Sequence, residues 1–90
     1  MGFKTEFNWI LKLTRQQGLD ENNLEENKTY EFFKREHRVY PLDIPIELVN
    51  GDWVAIGQAI VIEYTVGGGH TNGKYKVIDI YPKDKRRSLR

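Results

Sequence analysis

The 90-residue sequence predicts a mainly β, single-domain protein: a small β-barrel of five to seven short strands with at most one short helix. Three observations lead there. Residues 3–13 alternate, with Phe3, Thr5, Phe7, Trp9, Leu11 and Leu13 on one parity and Lys4, Glu6, Asn8 and Lys12 on the other. That is the period of a half-buried strand, whereas a helix would scatter the apolar residues around its cylinder. Residues 53–66 are apolar on both parities, as a central strand requires. No stretch shows the strand–helix–strand alternation of a parallel sheet, and a short all-β chain removes its exposed edges by closing into a barrel.

The elements follow in order. Gly18 ends the first strand, and the polar segment 15–28 is read as a solvated loop or as one or two helical turns capped by Asp20. Residues 29–33 resume β character. The polar stretch 34–37 is a turn or an exposed strand, and 38–40 is extended. Pro41 and Pro45 exclude a central strand across 41–45. Residues 46–49 form a short strand or single turn, and Asn50-Gly51 signals a tight turn. The central run is read as two strand segments that meet at a bend near Gly57. The segment Gly67-Gly68-Gly69-His70-Thr71-Asn72-Gly73 joins that run to a strand over 75–81. Asn72-Gly73, which accept positive φ at low cost, are the expected hairpin turn. Pro82 stops the last strand. The domain is therefore expected over 1–82, with 83–90 as a basic, disordered tail.

Composition removes several function classes. With no cysteine there is no disulfide framework, thiolate metal site or Cys nucleophile. The one serine, Ser88, lies in the basic tail, so a Ser–His–Asp constellation is not expected. The two histidines, His37 and His70, lack ligand spacing, and no metal or cofactor is expected. No apolar stretch approaches the roughly 20 residues that span a bilayer, and no secretory signal is seen. The expectation is a cytoplasmic protein without a membrane partner. Gly68, Gly73 and Lys74 match the spacing of the phosphate loop GxxxxGK, but Tyr75 stands where Ser or Thr would hold magnesium. A strand follows that loop, not the helix whose N-terminus would bind phosphate.

What remains is charge. The net charge is +1, but residues 67–90 carry seven Lys/Arg against two Asp. Lys34, Arg35, His37 and Arg38 lie among Tyr30, Phe32, Phe33 and Tyr40, so cations are interleaved with rings able to stack on bases. Lys74 and Lys76 begin a second basic group able to contact phosphates.

The stretches Lys28-Thr29-Tyr30-Glu31, residues 54–62 around Gly57, and Lys76-Val77-Ile78-Asp79-Ile80 resemble the sequence landmarks of small PUA-superfamily β-barrels, the ASCH branch in particular. Gln58 departs from the acidic residue usual there. The chain as a whole also resembles a short, uncharacterised bacterial protein family. The barrel resemblance implies RNA or modified-nucleotide binding in a cleft, with Lys28, Glu31 and Arg35 nearest to its motif. The leading expectation is a non-catalytic binding module for RNA or another anionic ligand, using Lys28, Glu31, Lys34, Arg35, His37, Arg38, His70, Lys74 and Lys76. The alternative is a protein-interaction or homo-oligomeric module working through an edge strand, as monomer or homodimer. A small-molecule enzyme stands third, with no catalytic residue singled out.

Overall fold

The computed structural model describes residues 8–89. Six strands are present among them: β1 (Ile10–Lys12), β2 (Thr29–Lys34), β3 (Ile46–Val49), β4 (Val54–Gly67), β5 (His70–Ile80) and β6 (Arg87–Ser88). Three-residue 3-10 turns lie at Arg15–Gln17, Glu21–Asn23 and Lys83–Lys85. One sheet holds all six strands in the order β1-β3-β4-β5-β2, and β6 pairs with β4. The β1–β3 pair is parallel and the other ladders are antiparallel.

The apolar run of β4 makes it the central strand. Ala55, Ile56, Ala59 and Val61 are buried between β3 on one side and β5 on the other. The register shifts between Gln58 and Ala59, one residue past the expected bend at Gly57. Beyond Val61 the polarity rises and β4 runs out over solvent, paired with β5 alone among the described residues.

The core is aromatic. Phe32 meets Tyr40 edge-on at 5.7 Å and Tyr75 at 6.2 Å, and Tyr40 in turn meets Tyr64 at 5.8 Å. Leu11, Leu13, Leu48, Ile56 and Val77 pack in the same cluster. Truncating any one of the buried rings removes roughly 3–5 kcal/mol.

The structure differs from the sequence expectations at four places. The sheet is not closed. β1 and β2 are its two outer strands, and no ladder joins them among the described residues. Part of the connecting segment, the turn around Gly18, lies beside β2 instead. Gly18, at φ +113°, sits against β2 so closely that a Cβ would fall 2.2 Å from the Glu31 carbonyl oxygen. The Tyr75 hydroxyl donates to the Gly18 carbonyl at 2.9 Å, which ties the segment to the core. Asp20 caps the turn at Glu21–Asn23 by accepting from the Asn22 amide.

Second, Asn72-Gly73 is not the hairpin turn. Asn72 and Gly73 pair with Phe33 and Phe32 on one side and with Thr65 and Tyr64 on the other. The chain reverses at Gly68-Gly69, both at positive φ as a two-residue type I′ loop requires. The β2 register decides this, because it needs residues 71–76 as a continuous strand.

Third, the expected strand over 3–13 is seen as Ile10–Lys12 only, and its positions 3–7 lie outside the described residues. Leu11 and Leu13 are buried as the alternation requires, but Trp9 is 57% exposed. Fourth, residues 83–89, expected as a disordered tail, carry the turn at Lys83–Lys85 and β6. β6 pairs with Val54 and Ala55 where β5 has ended, and the Leu89 amide donates to the Trp53 carbonyl at 2.7 Å. No helix among the described residues is long and apolar enough to cross a membrane.

Candidate functional site

The open seam creates a groove of about 520 Å³ between the β1 edge and residues 34–40. Its lining includes Trp9, Lys12, Lys34, Glu36, Arg38 and Trp53. Each side chain is placed by a simple local rule. In a parallel pair, alternate residues direct both backbone groups to the same side. The Leu13 amide bonds to the Val49 carbonyl of β3 at 2.9 Å, so Lys12 and Ile10 turn their backbone groups toward the seam. The Asn8 amide fits the same alternation, donating to the Val39 carbonyl at 2.7 Å.

On β2, Phe32 and Lys34 share a parity and both point inward. Phe32 enters the core. Lys34, at the strand end, reaches across the seam and donates from Nζ to the Lys12 carbonyl at 2.6 Å. The Lys12 side chain lies over the Trp53 ring, 4.8 Å from its centroid. Trp53 is held there by the 50–54 turn. The Asn50 Oδ1 accepts from the amides of Asp52 and Val54, and Trp53 adopts φ +63°.

Lys34 is 7% exposed, and no carboxylate among the described residues lies within ion-pair distance of it. Burial, with the nearby Arg38 and Lys12 charges, holds its ammonium below the ordinary lysine range. Arg38 sits at the rim and pairs with Glu36. Its amide donates to Thr71 Oγ1 at 2.8 Å, and Thr71 donates in turn to the Glu36 carbonyl at 2.7 Å. Buried Thr71 thus fixes the 36–38 turn to β5.

Among the described residues, three cations and one carboxylate face this groove, together with two indoles. Such a lining attracts anions and offers flat apolar faces beside them. Among the described residues, no group of three His, Asp or Glu could hold a metal ion.

Of the positions singled out in the sequence, the structure brings Lys34 and Arg38 together in the groove. His37 is close by but engaged elsewhere, its Nε2 accepting from the Gly69 amide at 3.2 Å. His70 stacks on Phe33 with centroids 5.0 Å apart. The glycine turn is thus docked on the 33–38 segment. Glu31 and Lys74 face each other across β2 and β5 and share a second hollow with Glu63, which is 3.6 Å from Lys74. Two carboxylates against one lysine make that hollow unsuited to an anion. Lys28 lies at the opposite end of β2, exposed and paired with Glu25, which raises its pKa through the hydrogen bond they share. Lys76 pairs in register with Thr29, and Arg35 is exposed beyond the end of β2. Lys28, Glu31 and Arg35, the positions nearest the PUA/ASCH motif, do not converge.

The sequence reading missed Lys12, Trp9 and Trp53. Lys12 had a signal, since it is the charged residue between the inward Leu11 and Leu13. Trp53 had none, because its place depends on the 50–54 turn.

No family model matches the chain, and no curated protein matches it. Among solved structures, the crystal structure of protein ytmB from Bacillus subtilis, a structural-genomics target, is similar, with a TM-score of 0.66 and 27% sequence identity. The likeness covers 90% of this chain and 95% of that one, so it runs over nearly the whole fold.

Proposed function

We propose that this protein is a non-catalytic module that binds an anionic ligand, single-stranded RNA being the class its groove fits best. One observation carries the reading: Lys34 is buried in the groove floor, flanked by Lys12 and Arg38, with no carboxylate of the described residues in ion-pair reach. A buried ammonium outside ion-pair reach of the described carboxylates is a costly arrangement that a bound anion relieves. Trp9 and Trp53 line the same groove, and indoles are the kind of surface on which bases stack without regard to sequence. The groove, more than the PUA/ASCH-like positions, supports RNA here. The test is a titration of isotopically labelled protein with a short single-stranded RNA at low and moderate salt. Amides of residues 10–12, 34–38 and 53 shift, and the affinity falls as salt rises. Unmoved amides at both salts rule the reading out.

A second reading, self-association through an edge, is favoured by one feature. Residues 62–67 of β4 pair on one side only among the described residues, and Ile62 and Val66 there are exposed. Light scattering across a concentration series checks it; a constant monomer mass excludes it.

A further inference from the structure

The depth of Lys34 restricts which phosphate reaches it. Its ammonium has three N–H donors. One goes to the Lys12 carbonyl, and no other acceptor for it is found among the described residues. Two donors thus remain for a ligand at the floor of a groove whose mouth carries Trp9, 57% exposed. An internal phosphodiester carries a sugar on each side and has one negative charge. It can lie along the rim, against Arg38 and Lys12, but both sugars obstruct its descent to the ammonium of Lys34, a residue only 7% exposed. A terminal phosphomonoester has one substituent, three free oxygens and a charge near −2 at neutral pH. It enters end-on, and among the described residues it matches three cations offset by the carboxylate of Glu36.

Resting on the anion-binding reading above, we infer that the groove is selective for a terminal phosphomonoester of a nucleotide, at the end of a strand or free in solution. Lys34 and Arg38 hold the phosphate oxygens, and the adjoining base lies along the groove wall that Trp53 lines. The ammonium that burial and its cationic neighbours hold below the ordinary range is restored toward it by the dianion.

The test compares one labelled RNA octamer carrying a 5′-phosphate, a 3′-phosphate or hydroxyls at both ends. A nucleoside 5′-monophosphate and inorganic phosphate serve as competitors. One terminal phosphate is expected to tighten binding about tenfold or more over the hydroxyl strand. Lys34→Met removes that gain, and Arg38→Ala, at the rim where folding is not at stake, reduces it. Competition by the mononucleotide assigns a free nucleotide as a ligand, and its failure beside a strand-end gain assigns the strand end; either supports the inference. Equal affinity for all three strands, weakened alike by both variants, overturns terminal selectivity while leaving an anion groove. Absence of binding by every strand and competitor overturns both.

Discussion

Lys34→Met tests whether the buried lysine serves the fold or a ligand. Methionine keeps the unbranched apolar stem and approximate volume and deletes the charge. Two effects oppose each other. Losing the 2.6 Å hydrogen bond from Nζ to the Lys12 carbonyl costs about 1.5–3 kcal/mol, because the donor is charged. Removing the ammonium of Lys34, a residue 7% exposed and flanked by Lys12 and Arg38, returns a similar amount, since a buried charge outside ion-pair reach costs on the order of 3 kcal/mol. The expected net change is within about 1 kcal/mol, or a Tm shift under about 8 °C for a domain this size. Urea denaturation followed by circular dichroism measures it. A loss above about 2 kcal/mol would mean that Lys34 is kept as a stitch across the seam, and the functional argument would fall. The pH dependence gives a second readout. Between the lowered folded pKa and the ordinary 10.5, the unfolded chain binds more protons at this site, so wild-type stability rises with pH in that window. In Lys34→Met this contribution is absent below pH 10.

Three further predictions concern the fold. Gly18→Ala places a Cβ 2.2 Å from the Glu31 carbonyl at φ +113°, so it destabilises by more than about 3 kcal/mol, read from the urea midpoint; a variant within about 1 kcal/mol of wild type would refute the tight seam. Burial pushes Tyr40 up to about 12 and raises Tyr75, while burial and the Glu47 hydrogen bond push Tyr81 to about 12. Unfolded phenols ionise near 10, so the unfolded state releases protons first and stability falls above pH 10. The fall is at most about 1.4 kcal/mol per pH unit for each of the buried Tyr40 and Tyr75, and a flat urea-midpoint profile from pH 9 to 11 contradicts it. Gly68→Asn, at φ +60° in the true turn, stabilises by about 0.4–1 kcal/mol by restricting the unfolded chain, whereas a loss of stability would move the turn elsewhere.

What the sequence disclosed was mostly local. The double-faced apolar run correctly marked β4 as central, and the prolines correctly kept 41–45 out of the strands. The hairpin turn was misread because Asn72-Gly73 is the stronger local signal. It yields to a non-local demand, the pairing of β5 with β2, which no window of adjacent residues contains. The site divides in the same way. Lys34 and Arg38 were legible from the interleaving of cations and rings. Lys12 lies 22 residues from Lys34 in sequence, brought near only because β1 and β2 end on the two sides of one seam. Trp9 shared the parity of buried leucines, and its exposure reflects where β1 begins.

The order β1-β3-β4-β5-β2 also has a kinetic consequence. The strands that come first in the chain occupy the outside of the sheet, and the middle is built from β4 and β5, joined by a two-residue turn. That hairpin is the local event, forming in about 1–10 μs, while β1 and β2 must wait for it and then close long loops to reach it. Folding should therefore nucleate in the second half of the chain. Mutations in β4 and β5 are expected to slow folding, and mutations in β1 mainly to speed unfolding. The seam between β1 and β2 is then the last part of the molecule to form and the first to open.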